Sequence, residues 1–322
     1  MSYCILEGDV LHQLRDLPDE SVHCVVTSPP YWGLRDYKTD GQIGLEKTPQ
    51  EYLEKMVTIF REVKRVLRKD GTAWVNMGDC YQRKQLVGMP WRLAFALQED
   101  GWWLRQDIIW SKPNPMPLSV TDRCTTAHEY IFLLTKRERY WYDAAAIKTR
   151  LSSVSVSRLA QNIDQQEGSH RANGGKKTNG TMKAVGGRRR KSDKQRGHSR
   201  RHAGFNERWD LMSVAEQCSM GANRRSVWEI ATKGYKGAHF ATFPEEIPRL
   251  CIMAGCPEGG VVLDPFSGSG TTGVVALRLN RKYIGIEINP EYVEMSHRRI
   301  HADAPIFNAP FPSVICIFER QA

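Results

Sequence analysis

The chain has 322 residues, 41% of them hydrophobic, and its 46 Lys and Arg residues against 36 Asp and Glu residues give a net charge of +10. This length and composition allow one α/β domain of ordinary size with an insertion. No apolar stretch is long enough to span a bilayer, and the first residues do not form a signal peptide, so neither a membrane protein nor a secreted protein is expected.

Seven apolar runs are typical of β-strands. They are Tyr3–Leu6, Val22–Val26, Thr72–Met77, Leu104–Trp110, Tyr130–Leu134, Val261–Asp264 and Tyr283–Glu287. Helical patterns lie between them, most clearly over Gln50–Arg68, where apolar residues recur on one face before the polar stop Lys69-Asp70-Gly71. Strands that alternate with helices predict an α/β fold with a mostly parallel sheet covered on both faces.

A rigid polar cup follows the second predicted strand, where the sequence reads Thr27-Ser28-Pro29-Pro30-Tyr31-Trp32. The prolines fix φ and carry no N–H group, so their carbonyls and the Ser28 hydroxyl remain as hydrogen-bond acceptors. Tyr31 adds a ring face for stacking. The combination suits a flat ring that bears an amino group, such as a nucleobase, although a Pro-Pro loop that merely ends a buried strand has the same pattern.

The positive charge is concentrated in one segment. Between Arg150 and Asp210 there are 15 Lys or Arg and 5 Asp or Glu residues, whereas the charges of the remaining chain balance. Such a segment has few groups able to form a core. It is either a solvated linker or a surface for the phosphates of DNA, which would make binding depend on salt. Lys112, in a proline-rich loop after a predicted strand, either faces DNA as well or only shapes that loop.

A small-residue turn links the strand that ends at Asp264 to a helix that begins near Thr271. Glycines at 268 and 270 let the backbone approach a bound cofactor closely, as in nucleotide-binding strand–turn–helix units. The turn lacks a Walker lysine, so it does not favour a P-loop. The next strand ends in Glu287, a carboxylate placed to accept hydrogen bonds from ribose hydroxyls.

Together these motifs resemble those of the amino-methylating DNA methyltransferases that use S-adenosylmethionine. The segment from Asp264 to Thr272 is similar to the cofactor motif of that family, Ser28-Pro29-Pro30-Tyr31 to its catalytic motif, and His239-Phe240-Ala241-Thr242-Phe243-Pro244 to its cofactor-side segment. The catalytic motif comes first, as in the β arrangement of the family. The resemblance therefore implies the seven-stranded, Rossmann-like methyltransferase sheet in a circularly permuted order, with a basic target-recognition insertion.

The resemblance also implies roles for segments and residues. A catalytic half at 1–149 would be followed by a partly flexible target-recognition region at 150–225, a cofactor-binding half at 226–301 and a tail at 302–322. The residues implied to bind the cofactor are Asp264, Pro265, Phe266, Ser267, Gly268, Ser269, Gly270, Thr271, Glu287, Asp9, Phe240 and Thr242. Asp9 could equally be a simple helix N-cap. The candidate DNA contacts are Lys112, Arg188, Arg189, Arg190 and Lys191.

The implied activity is site-specific methyl transfer from S-adenosylmethionine to an exocyclic amino group of a base flipped out of double-stranded DNA, without a metal ion. Within the family, the Ser-Pro-Pro-Tyr form leans towards cytosine N4 and leaves adenine N6 as the alternative. A bacterial or phage-encoded cytoplasmic enzyme is expected, with a cognate restriction endonuclease as a possible partner. A non-catalytic DNA-binding protein would explain the basic segment, but it would not need Ser28, Asp264 and Glu287 together.

Overall fold

The computed structural model describes residues 2–36, 38–160, 211–232, 243–304 and 309–310. Two compact units divide the chain, with breaks after Ala146 and after Arg224. In the described part of the chain, no helix is both long and apolar enough to cross a bilayer.

A mixed sheet forms the larger unit, which comprises the residues before and after the segment Ile147–Arg224. Its strands are β1 (Ser2–Glu7), β2 (Val22–Thr27), β3 (Leu67–Met77), β6 (Trp103–Ser111), β7 (His128–Thr135), β8 (Val227–Glu229), β9 (Val261–Asp264), β10 (Lys282–Glu287) and β11 (Ala309–Pro310). Their order is β11-β1-β10-β9-β2-β3-β7-β6-β8. Neighbours run parallel except where β7 meets β3 and β6. A separate hairpin pairs β4 (Tyr81–Gln82) with β5 (Gln85–Leu86).

Helices of the larger unit connect these strands. They are α1 (Val10–Arg15), α2 (Pro49–Val66), α3 (Met89–Glu99), α6 (Glu246–Gly255), α7 (Thr271–Arg278) and α8 (Pro290–Asp303). The α/β class and the mostly parallel sheet are thus confirmed, and all seven predicted strands are present. The short strands β8 and β11 extend the sheet, because runs of two or three residues carry no periodic signal. The permuted strand order of the family stays a prediction.

Helix α2 shows how local sequence sets an element. The Thr48 hydroxyl accepts a hydrogen bond from the Glu51 amide at 3.2 Å and so caps the helix start, with Pro49 in its first turn. The predicted end at Arg68 is wrong, because the helix stops at Val66 and Leu67 is extended, with φ −69° and ψ 138°. Leu67 pairs with Val22 in the sheet, where it is fully buried. Burial in the sheet therefore overrides the helical pattern of the preceding turns.

The smaller unit contains α4 (Ser153–Ala160) and α5 (Val214–Ser219). Thr149 and Ala222 exchange two backbone hydrogen bonds of 2.9 and 2.8 Å. The Arg224 guanidinium donates to the Ile147 carbonyl at 3.1 Å, which joins the two ends of the unit. The assignment of this unit to target recognition stays a prediction.

Parallel strands bring their carboxyl ends to one edge of the sheet. Strands β1, β10, β9, β2 and β3 share one direction, and β7 runs the opposite way. The residues after the first five strands therefore meet the start of β7 at the same edge. This edge carries the predicted cup and the glycine turn, as expected for open α/β sheets.

Candidate active site

The cup at the end of β2 is held in place by hydrogen bonds from outside the motif. The Tyr52 hydroxyl of α2 donates to the Pro30 carbonyl at 2.9 Å. Trp32 is buried, and its indole N–H donates to the Glu46 carbonyl at 2.9 Å. Trp32 is therefore part of the core. Inside the cup, the Ser28 and Tyr31 hydroxyl oxygens lie 3.2 Å apart.

Two polar residues that the sequence analysis missed complete the cup. The Asn76 side-chain amide, on β3, donates to the Tyr31 hydroxyl at 2.9 Å and to Glu129 Oε2 at 2.8 Å, and it lies 3.4 Å from Ser28 Oγ. The Tyr31 hydroxyl donates to the same Glu129 oxygen at 2.8 Å. Asn76 was detectable as a polar residue inside an apolar strand, and Glu129 as a carboxylate at the start of another.

Lys112 belongs to this network. Its ammonium nitrogen is 2.5 Å from Glu129 Oε1 and 4.4 Å from the centre of the Trp110 ring. The side chains of Lys112 and Glu129 are only 19% and 15% exposed, so water screens their attraction weakly. The structure thus places the Lys112 charge inside the site, and its predicted contact with DNA stays a prediction.

The environment of Tyr31 keeps its phenol neutral. Burial, followed by the nearby Glu129 carboxylate, raises the pKa of Tyr31 well above its ordinary value. The ring also needs a close neighbour without a side chain, since a Cβ added at Gly78 would lie 2.9 Å from Tyr31 Cε2. Tyr31 is therefore a neutral hydroxyl on a closely packed ring.

Asp264 connects the cofactor motif to the catalytic motif. It is 1% exposed, and its carboxylate accepts hydrogen bonds of 2.7 Å from both the Thr27 and the Thr272 hydroxyls. Burial raises the pKa of Asp264 to about 6, although these hydrogen bonds act in the opposite direction. Because Thr27 directly precedes Ser28, one buried side chain fixes the cup relative to the start of α7.

Glu287 stands at the tip of β10, against the glycine turn. One carboxylate oxygen accepts from the Gly268 amide at 2.8 Å and the other from the Asn289 amide at 2.9 Å. Burial raises the pKa of Glu287, and the backbone donors lower it. The carboxylate is thereby oriented at the edge where the sequence predicts a ribose contact.

The glycine turn is braced from α8. Gly270 has φ +73°, and a Cβ there would lie 3.0 Å from Ser296. The Arg299 guanidinium donates to the Ser269 hydroxyl at 3.1 Å and to the Thr271 hydroxyl at 2.8 Å, so both hydroxyls are engaged within the protein. Ser267 lies 2.8 Å from the Tyr283 hydroxyl, Pro265 is buried, and Phe266 packs against the core. The turn is therefore a rigid backbone cradle.

Asp9 caps a helix in this structure. Its side chain accepts a hydrogen bond from the His12 amide at 3.0 Å at the start of α1. The preceding Gly8 amide donates to the Glu287 carbonyl at 2.9 Å, so Asp9 follows directly at the edge where β10 ends. The N-cap alternative is thus observed, and a contact of Asp9 with a cofactor stays a prediction.

Several predicted site residues lie outside the described residues. They are Phe240, Thr242, Arg188, Arg189, Arg190 and Lys191. Their proposed roles stay predictions.

Comparison with known proteins identifies the family. The family model for N6/N4 methyltransferases, described as DNA methylase, matches residues 22–298. The chain belongs to this DNA methylase family. The methylase is 42% identical to the Type II methyltransferase M.Cfr9I of Citrobacter freundii over 93% of this chain and 88% of the relative. It is 40% identical to the Type II methyltransferase M.SmaI of Serratia marcescens over 92% of this chain and 90% of the relative.

Solved structures support the fold of the methylase. The PvuII DNA methyltransferase, described as cytosine-N4-specific, superposes with a TM-score of 0.63 at 20% identity and covers 95% of this chain and 92% of its own. The putative DNA modification methylase TTHA0409 of Thermus thermophilus, complexed with S-adenosyl-L-methionine, has a TM-score of 0.57 at 21% identity and covers 97% and 100%. The family model and the two relatives confirm the family predicted from the three motifs, and the solved structures support its fold.

Proposed function

We propose that the methylase transfers the methyl group of S-adenosylmethionine to the exocyclic N4 of a cytosine flipped out of double-stranded DNA, at a defined sequence. The observation that carries the proposal is the Asp264 carboxylate, which joins the end of the catalytic strand to the glycine turn through Thr27 and Thr272. One structural relative is a complex with S-adenosyl-L-methionine. The best chemical fit is thus a methyl donor in the turn and an acceptor in the cup.

The residues present fit the donor. Gly268 and Gly270 have φ of +52° and +73°, and they leave a backbone surface that side chains would obstruct. Glu287, whose two oxygens are already oriented by backbone amides, suits the ribose hydroxyls. When bound, S-adenosylmethionine supplies an electrophilic methyl group on its sulfonium.

The cup offers hydrogen-bond acceptors that would make the amino nitrogen of a bound base a better nucleophile. The amino nitrogen of a base is a poor nucleophile because its lone pair is delocalised into the ring. Ser28 Oγ and the Pro29 carbonyl would accept its two N–H groups and favour a pyramidal nitrogen, while the Tyr31 ring would stack on the flipped base. The amino nitrogen would form its bond to the methyl carbon as the methyl–sulfur bond breaks, the neutral thioether S-adenosylhomocysteine would be the leaving group, and the excess proton on the nitrogen would pass to solvent. Orientation of the reacting atoms supplies much of the acceleration.

The Ser28 hydroxyl, which is an uncharged hydrogen-bond acceptor, favours cytosine over adenine as the target base. The hydroxyl there is a weaker acceptor than a carboxylate, and the nearby Glu129 carboxylate is already engaged by Tyr31, Asn76 and Lys112. Expression in a host that lacks DNA methyltransferases, followed by sequencing that reports modified bases, tests this preference. N4-methylcytosine at one recurring sequence supports the proposal, whereas N6-methyladenine alone assigns the alternative.

A second experiment separates an enzyme from a non-catalytic DNA-binding protein. Binding of S-adenosylmethionine is measured by calorimetry, and transfer of a radioactive methyl group to duplex DNA is measured for wild type, Asp264→Ala and Ser28→Ala. We expect Asp264→Ala to lose cofactor binding and transfer, and Ser28→Ala to lose transfer but keep cofactor binding. A wild-type chain that binds DNA without binding the cofactor would contradict the enzyme proposal.

The basic segment between Arg150 and Asp210 is proposed to hold the target duplex, since its 15 basic residues suit phosphate contacts. A cognate restriction endonuclease is proposed as a partner in the cell, because M.Cfr9I and M.SmaI, both at least 40% identical to this chain, are Type II methyltransferases. Protection of DNA from an endonuclease that cuts at the methylated sequence would test that pairing.

A further inference from the structure

A short hairpin, formed by β4 and β5, follows β3 close to the cup. Strands β4 and β5 pair Tyr81 with Leu86, and the Val87 amide closes the base by donating to the Cys80 carbonyl at 3.0 Å. Asp79 accepts hydrogen bonds of 3.0 Å from the Gly88 and Met89 amides, which fixes the chain where it leaves the hairpin. The hairpin is therefore anchored at its base, although all six of its residues are exposed.

The turn of the hairpin holds two charged residues in an unfavourable backbone conformation. Its two turn residues, Arg83 and Lys84, have φ of +48° and +67°. A two-residue turn of this type favours Asn-Gly, because both residues adopt the left-handed region that side chains disfavour. Strained residues that persist at an exposed turn indicate a role for their side chains. Here the side chains are two cations, and that of Lys84 is 89% exposed.

The hairpin contacts the loop that follows β6. The Arg123 guanidinium lies 3.9 Å from the centre of the Tyr81 ring, and Lys84 is 3.4 Å from the Asp122 carboxylate. The same loop exposes two apolar side chains, with Met116 82% and Leu118 43% exposed. Exposed cations beside exposed apolar groups match the two parts of a nucleic acid, its phosphates and its base faces.

Both segments start at the residues of the cup. Gly78, against the Tyr31 ring, is three residues before Tyr81. The loop 113–126 directly follows Lys112, whose ammonium binds Glu129 and whose amide donates to the Ala127 carbonyl at 2.8 Å. DNA that delivers a base to Tyr31 would therefore lie close to the hairpin and the loop.

We propose that the hairpin Tyr81–Leu86 and the loop 113–126, together the rim surface, bind the duplex next to the flipped base, with Arg83 and Lys84 on its phosphates. The proposal rests on the proposed function and adds a DNA contact on the larger unit, outside the basic segment between Arg150 and Asp210. Two phosphate contacts would contribute about 2 to the slope of log K against log salt.

The double variant Arg83→Asn/Lys84→Gly tests the proposal, because it gives the turn its preferred residues while removing both charges. Thermal stability is expected to stay the same or rise. The dissociation constant for duplex DNA should increase by about tenfold or more at low salt, and the salt slope should fall by about 2. A second variant, Arg83→Gln/Lys84→Gln, keeps long side chains at the turn and should lose the same slope.

The matched control is Arg68→Gln/Lys69→Gln. These residues are also adjacent, exposed cations, but they lie at the opposite end of β3. Their loss should leave DNA affinity, salt slope and methyl transfer as in wild type. If the hairpin variants bind DNA with the wild-type slope and affinity, or if the control loses as much, the rim surface does not contact DNA. The proposed function would still stand in either case, because methyl transfer by the wild-type chain tests it separately.

Discussion

Glu129 is the carboxylate on which three side chains of the cup converge. Tyr31, Asn76 and Lys112 all donate to it at 2.8 Å or less. Replacement by glutamine in Glu129→Gln removes the charge that holds Lys112 and puts an amide donor where two donors already point. We expect the rate of methyl transfer at saturating substrates to fall by about 10²-fold, the scale of a small misplacement of reacting groups.

The control for this change is Glu138→Gln, in the bend that follows the other end of β7, where the side chain is exposed. It should leave the rate unchanged. Cofactor affinity should stay near wild type in both variants, because Glu129 makes its contacts in the cup. A Glu129→Gln enzyme with the wild-type rate would show that the network has no positioning role.

Asp264 should lower the free energy of unfolding as the pH rises, which is the opposite of the usual effect of a carboxyl group. Its pKa is raised from 3.8 to about 6, so the folded protein binds a proton more tightly than the unfolded chain does. The stabilising contribution of Asp264 is therefore full below about pH 4 and is lost as the pH rises through about 6, with a total of ~3 kcal/mol. The raised pKa of Glu287 acts with the same sign.

Chemical denaturation of wild type and Asp264→Asn between pH 4 and 7 checks this expectation. The free energy of unfolding of wild type, relative to the variant, should decrease across that interval. Parallel curves for the two proteins would mean that Asp264 titrates as it does in the unfolded chain.

Sequence alone indicated the residues of the motifs but not their partners. Asp264 and Glu287 end predicted strands and Ser28 follows one, so the strand pattern places all three at one edge of the sheet. The proximity of Asn76 and Glu129 was not predictable, because it depends on the antiparallel register between β3 and β7, in which Asn76 faces Ile131. Side-chain periodicity does not specify which residues of two strands are neighbours.

Among the elements, α8 supports the cofactor turn. Arg299 donates to two hydroxyls of the turn and also pairs with Glu245 at 3.3 Å. In Arg299→Ala, we expect the KM for S-adenosylmethionine to rise by about tenfold, equivalent to one charge-assisted hydrogen bond, with little change in kcat. Steady-state kinetics at saturating DNA measures both constants.

The adjacent Arg298→Ala is the matched control. Arg298 is 69% exposed and pairs only with Glu294 of the same helix among the ion pairs of the described residues, at 3.3 Å, so its removal should leave both constants unchanged. Equal effects of the two substitutions, or a fall in kcat with an unchanged KM, would contradict the role given to Arg299.

Among the elements, apolar segments were predictable and short exposed ones were not. The strands Val261–Asp264 and Lys282–Glu287 contain apolar runs that are typical of a buried strand. The hairpin Tyr81–Leu86 is polar and exposed, and its turn has no glycine or asparagine. Its turn chemistry therefore gave no signal.

For the whole molecule, the main prediction concerns the segment between Arg150 and Asp210, which holds the excess positive charge. Deletion of residues 170–200, which contain the Arg188–Lys191 run, should weaken binding to duplex DNA and flatten its salt dependence. Cofactor binding should be spared, since the residues of the glycine turn lie elsewhere in the chain. Titrations at several salt concentrations, with calorimetry for the cofactor, check both parts. Unchanged DNA affinity after the deletion would refute the role of the basic segment.

We propose that the cup and the glycine turn of one chain together transfer a methyl group from S-adenosylmethionine to an amino nitrogen of DNA. The most direct test incubates the purified chain with duplex DNA and S-adenosylmethionine that carries a deuterated methyl group, then identifies the labelled nucleosides by mass spectrometry. We predict deuterated N4-methylcytosine from wild type and none from Ser28→Ala. Label on the ring carbon of cytosine, or an absence of labelled nucleoside from wild type, would contradict it.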